Sequence, residues 1–189
     1  MKLNVEVCIR PKDGETVSGD AATVREQEGT HLLAVVDALG HGVGAAKTAD
    51  VAIDFLSKCP IKGASVIEIV SGLHIALRGT RGTATTICLI EGERITGCGV
   101  GNVALRCSDP RVSPFLTSGV LGQAVDPFRV FSGTISPDAR LVMFSDGISQ
   151  RFALSALQRM PTREACAKIM ETFRKYQDDA TVLVADVMR

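Results

Sequence analysis

The chain has 189 residues, 46% of them apolar and 22% charged, with 21 Lys+Arg balanced by 21 Asp+Glu. That is enough chain for a sizeable core, and residues 1–189 read as a single domain; the charge balance argues against a general polyanion binder, so nucleic acid is not an expected partner. No apolar run approaches the roughly 20 residues of a membrane span, and MKLNVEVCIRPKD lacks a signal-peptide core, so a cytoplasmic protein that engages no membrane is expected.

LNVEVCI (3–9) alternates, putting Leu3, Val5, Val7 and Ile9 on one face of a half-buried strand. A turn follows over Pro11–Gly14. ATVREQ (22–27) and HLLAVVD (31–37), joined by Glu28-Gly29-Thr30, predict a hairpin whose second strand is apolar throughout and therefore central. From Ala45 the period changes. Ala45, Ala49, Ala52, Ile53 and Leu56 share a helical stripe that Pro60 stops, and Val66, Ile69, Val70, Leu73 and Leu77 make a second stripe. Strand patterns return at 83–91, 94–100, 102–107, 128–135 and 140–146. Pro161 separates two more helical patterns, 152–160 and 162–176, and DDATVLVADVM (178–188) ends the chain as a β-branched strand. Runs of strands broken by paired helices do not match the βαβ alternation of a parallel sheet. They predict an α+β fold, a four-layer αββα sandwich of two mainly antiparallel sheets flanked by helix pairs.

The six cysteines are dispersed and form no C-x-x-C pair, which fits small buried hydrophobes in a reducing compartment. His31, His41 and His74 lie too far apart for a structural zinc site.

Several strands end on carboxylates. SGD carries Asp20, VVDALGHG carries Asp37, LVMFSDG carries Asp146, and QDDATVLV carries Asp178 and Asp179. Any one of these is ordinary turn chemistry. Together they adjoin apolar strands that must pack centrally, so their ends can converge at one edge of a sandwich. Carboxylates gathered without basic partners repel one another, and divalent cations resolve that. A set of hard oxygen donors without His or Cys points to Mg²⁺ or Mn²⁺. Two such ions about 4 Å apart can activate a bridging water and clamp a phosphoryl group, which implies phosphate-ester hydrolysis.

DALGHG (37–42), SDGI (145–148) and DDAT (178–181), with GVGN (99–102) and GVLGQ (119–123) between them, resemble the metal-dependent PPM/PP2C serine/threonine phosphatases. The likeness is greatest to their short bacterial branch, the SpoIIE-like enzymes acting on stress-response and sporulation regulators. It implies that Asp37 bridges two divalent cations, Mn²⁺ or Mg²⁺, that Asp146 and Asp178 complete one site, and that Asp20 and the backbone carbonyl of Ala38 serve the other. Asp179 then stands behind these ligands. Ala38 replaces the usual glycine, which matters only if the turn requires positive φ. Arg10 is a candidate for the phosphate-binding arginine of larger relatives. His41, the nearest imidazole, is a candidate general acid for the leaving oxygen, or else a cap for the turn. Gly40 and Gly42 belong to the tight strand-to-helix connection, whose helix start points amide N–H groups at anions. The implied partners are phosphorylated STAS-domain proteins of stressosome or antagonist type, whose dephosphorylation resets a bacterial stress signal. A phosphatase of another anti-sigma-factor antagonist, and a noncatalytic binding module on the same fold, are the alternatives.

Overall fold

The computed structural model describes residues 1–188; Arg189, the expected bound of the domain, lies outside them. One sheet contains β1 (Lys2–Arg10), β6 (Ala104–Cys107), β9 (Arg140–Phe144) and β10 (Ala180–Met188) in the order β1-β10-β9-β6, all antiparallel. The other contains β2 (Asp20–Gln27), β3 (Thr30–Ala38), β4 (Thr83–Glu91), β5 (Arg94–Val100) and β7 (Leu116–Thr117) in chain order, with β8 (Phe131–Thr134) also paired to β5. Among the described residues, only the β5–β7 pair is parallel.

Period-two alternation explains the layers. On β3, Leu32, Ala34 and Val36 face α1 (Gly42–Lys58) and α2 (Val66–Ala76), while Leu33 and Val35 face the opposite sheet. On β10, Leu183 and Ala185 enter that same inter-sheet core, while Val182 and Val184 pack under α4 (Thr162–Phe173) and the single turn α3 (Leu154–Leu157). Strands buried on both faces need apolar residues at every position, which is why HLLAVV and TVLVA show no polar alternation. The result is the expected αββα sandwich.

Local chemistry sets the helix ends. Ser65 and Glu68 form a capping box at the start of α2. The Arg25 guanidinium donates to the carbonyls of Leu56 (2.6 Å) and Cys59 (2.7 Å), holding the C-terminal end of α1 before Pro60. The 152–160 pattern yields only α3, because Phe152 and Leu157 fill the core under β9 while the carbonyls of Leu157 and Met160 turn to the buried Arg140. The 162–176 pattern ends at Phe173, after which residues 174–179 run back towards the sheet edge. The face expected of β1 is only partly covered: Leu3 and Val5 join the inter-sheet core, but Val7 is exposed at this edge strand. Cys59, Cys88, Cys98 and Cys166 are buried thiols, and Cys8 and Cys107 are half-buried.

Candidate active site

The hairpin register brings the first two aspartates together. Gln27 pairs with Thr30, and counting back along the ladder puts Asp20 directly opposite Asp37. The other sheet supplies Asp146, two residues beyond the end of β9, and Asp178 and Asp179, just before β10. Bonds across the sandwich lock these halves. The Ser145 hydroxyl donates to Asp20 Oδ2 (2.6 Å) and itself accepts from the Thr181 amide (2.9 Å). Asp179 is buried and accepts from the amides of Lys12 (2.7 Å) and Gly19 (2.7 Å), tying both ends of the 12–19 loop to the start of β10.

Asp37, Asp146 and Asp178 line an open cleft of about 360 Å³ with Leu39, Gly40, His41, Ala84, Asn102 and Gln177. Asp20 lies buried, hydrogen-bonded to Ser145. Ala38 continues the β3 ladder, its amide bonded to the Gly19 carbonyl (3.1 Å), and its φ is not positive, so its methyl group introduces no backbone strain. Gly40 (φ +88°) and Gly42 (φ +69°) do need their freedom, and side chains of Arg81 and Glu15 lie where their Cβ atoms would stand. Arg10 is a correction to expectation. It ends β1 on the α4 side, in a groove with Arg174 and Tyr176, away from the cleft. Asn102, whose Nδ2 donates to Asp146 Oδ2 (2.7 Å), is a site residue that GVGN contained without revealing. Lys12 and Glu15, both hydrogen-bonded to His41 from outside the cleft lining, were marked by no motif.

Among the described residues, Asp20, Asp37, Asp146 and Asp178 form no ion pair with Lys or Arg. Burial, reinforced by the charges of Asp20, Asp146 and Asp178, pushes Asp37 up to about 8. Burial likewise raises Asp20 to about 7 against the opposing Ser145 bond, and raises Asp146. Such a set is short of positive charge and rich in hard oxygen, the donor chemistry of Mg²⁺ or Mn²⁺. No three side-chain donors among the described residues gather closely enough to cage an ion by themselves. The fit is therefore to an open site that shares its ions with backbone carbonyl and water, as Mg²⁺ prefers.

The raised carboxylates predict a pH signature. A folded-state pKa above the unfolded value favours the folded protein at low pH, and this contribution is lost as pH rises through the folded value. Melting temperature in EDTA should fall from about pH 5 to about pH 8, the window set by Asp20 and Asp37. Asp109, held well below the usual carboxylate range chiefly by Arg111, acts only at lower pH. A flat profile in EDTA would show that the cluster carries no such charge stress.

The profile of the Stage II sporulation protein E (SpoIIE) family matches residues 27–188. The chain belongs to the SpoIIE family. This bears out the resemblance carried by DALGHG, SDGI and DDAT. The SpoIIE-family chain is 24% identical over 184 residues to the phosphoserine phosphatase RsbX of Bacillus subtilis (strain 168), covering 93% of this chain and 90% of RsbX. A crystal structure of RsbX in complex with magnesium superposes with a TM-score of 0.84 at 21% identity, over 97% of this chain and 94% of that one. A chain from a structure described as the bacterial stressosome, a modular system adapted to control secondary messenger signalling, matches at 30% identity and a TM-score of 0.90, over 98% and 100% of the two chains. The catalytic domain of the serine/threonine phosphatase PstP, in complex with two manganese ions, shares the fold at 19% identity and a TM-score of 0.76, over 99% of each chain. None of the described helices is long and apolar enough to cross a membrane.

Proposed function

We propose that this SpoIIE-family protein is a metal-dependent protein serine/threonine phosphatase that acts on phosphorylated STAS-domain proteins of a stressosome-type pathway. The observation that carries the reading is the meeting of Asp20 and Asp37 from one sheet with Asp146 and Asp178 from the other, without a cationic side chain paired to any of them. RsbX, a phosphoserine phosphatase, and the stressosome chain support the substrate class. The magnesium and manganese complexes of RsbX and PstP support the choice of ion.

In this reading Asp37, Asp146 and Asp178, with Asp20 and the Ala38 carbonyl, would hold two divalent cations. When bound, the ions supply the Lewis acidity that makes water nucleophilic near neutral pH and offset the charge of the phosphoryl group. The protein's own part is orientation. Asn102 fixes the Asp146 carboxylate, Ser145 fixes Asp20, and Asp179 holds the loop that ends at Asp20. Leu39 and Ala84 give the cleft an apolar wall beside the carboxylates.

The test is phosphate release from p-nitrophenyl phosphate and from a phosphorylated STAS-domain protein as Mn²⁺ is titrated. Wild type should turn over both, and Asp146→Asn should lose at least about 100-fold. A folded wild type that releases no phosphate from either, at any Mn²⁺ concentration, would leave a noncatalytic binding module as the reading.

A further inference from the structure

One network beside the aspartates has no part in the reading above. His41 stands on the cleft wall with both ring nitrogens engaged: Nδ1 is 2.7 Å from Glu15 Oε1, and Nε2 is 2.9 Å from Lys12 Nζ. The partners dictate the tautomer. A lysine ammonium has donors only, so Nε2 must accept; an ionised carboxylate accepts only, so Nδ1 carries the proton. The imidazole therefore has no proton on the nitrogen that faces Lys12, and in this arrangement it acts as a holder.

What it holds is an ammonium fixed at both ends. The Lys12 amide donates to Asp179 Oδ1 (2.7 Å), beside Asp178, while its side chain ends on His41. The loop carrying it is fastened further by Asp13 N–H to the Tyr176 carbonyl (3.0 Å) and by Arg174 to the Pro11 carbonyl (2.6 Å). The Glu15 carboxylate reaches His41 only because residue 42 is glycine: a Cβ there would come within 2.7 Å of Glu15 Oε2. Fold stability does not account for the His41–Glu15 pair. The His41 and Glu15 side chains are 46% and 31% exposed, and such pairs contribute about 0–1 kcal/mol or less.

We propose that Lys12 is the residue that receives the phosphoryl group of the substrate, and that His41 and Glu15 are positioning residues that aim its ammonium. The proposal rests on the phosphatase reading and replaces the general-acid role for His41. One of the three ammonium protons is given to His41 Nε2, which leaves two for phosphoryl oxygens. The Lys12 ammonium lies 2.9 Å from His41 Nε2, just outside the cleft that His41 lines together with the three carboxylates, so an anion held over those carboxylates meets positive charge at the His41 side of the rim.

The experiment is steady-state kinetics at saturating Mn²⁺ on p-nitrophenyl phosphate and a phosphoserine peptide, together with the inhibition constant of inorganic phosphate. Lys12→Ala should raise KM and the phosphate inhibition constant by about 10-fold or more, equally for both substrates, with a smaller change in kcat and an unchanged melting temperature. Lys12→Arg should recover most of the loss, and His41→Ala and Glu15→Gln should show the same KM effect in weaker form. The proposal is overturned if Lys12→Ala leaves phosphate inhibition within twofold of wild type. It is equally overturned if His41→Ala lowers kcat on phosphoserine alone while Lys12→Ala is silent, which would return the general-acid role to His41. An active wild type with an indifferent Lys12 sinks this proposal only. A wild type that turns over neither substrate and binds no inorganic phosphate by calorimetry sinks the phosphatase reading and this one with it.

Discussion

Replacing Asp37 with asparagine is expected to abolish phosphate release while raising the melting temperature of the metal-free protein. Both effects come from the same charge. Asp37 faces Asp20 across the ladder and lines the cleft with Asp146 and Asp178, and burial together with these neighbours pushes its carboxyl up to about 8. An amide of the same shape removes the repulsion, a gain of about 1–3 kcal/mol at pH 8, which for a chain of this size is roughly 2–4 °C per kcal/mol. At pH 5, where the carboxyl is already protonated, the gain should shrink. In the proposed reading the amide would be a weak ligand with no charge to offset a bound cation, and a loss on the order of 10³ in rate, about 4 kcal/mol of barrier, is expected. Calorimetry in EDTA at the two pH values, beside phosphate release at saturating Mn²⁺, measures both arms. A variant that keeps half the wild-type rate would remove Asp37 from the bridging position.

Gly147→Ala should be as damaging from the opposite direction, by adding a single methyl group. A Cβ at residue 147 would stand 1.8 Å from the Asp179 carbonyl oxygen and 3.0 Å from Ala180 Cα. The obstacle is backbone, so no rotamer change relieves it. Either the 145–148 turn or the start of β10 must move, and these carry Asp146 on one side and Asp178 on the other. The Lys175 amide bond to the Gly147 carbonyl (2.7 Å) is lost with the same displacement. A cost of about 3 kcal/mol or more is expected, with weaker Mn²⁺ dependence and at least about a 100-fold drop in turnover. Gly63→Ala is the control. Its φ is +75° but nothing lies within 4 Å of the added methyl, so it should cost only about 1 kcal/mol and leave turnover intact. Urea unfolding and Mn²⁺ titration of the two variants provide the comparison, and a Gly147→Ala protein with wild-type stability would show that the turn has room to yield.

Much of this arrangement was legible from residue pattern. The stretch TATTICLIE (83–91) marks β4 at its observed limits, and HLLAVV marks a strand covered on both faces. The hairpin was legible but its register was not: with Thr30 counted in the turn Gln27 would face His31 and Asp20 would face Ala38, whereas the two-residue turn pairs Gln27 with Thr30 and so brings Asp20 opposite Asp37. The two residues of β7 left no pattern, because a pair that short makes no period and its parallel partner is distant in the chain. Helical periodicity over 152–160 reflected burial of Phe152 and Leu157 without a continuous helix. Asn102, Lys12 and Glu15 were hidden for another reason. They are polar loop residues whose meaning arises only when Asp146 and His41 are brought to them by strands far away in sequence.

The place of β10 has a consequence for the newly made chain. It is the last strand described, yet it lies inside its sheet, between β1 and β9. Until residues 180–188 have left the ribosome, β1 and β9 have no common partner and each presents an unpaired edge to the cell. Asp178 and Asp179 precede that strand, so the loop that ends at Asp20 waits for its anchor until some 160 further residues have been made. A nascent chain halted anywhere short of this point should be both sticky and catalytically silent, and competence should arrive in one step with the closing strand.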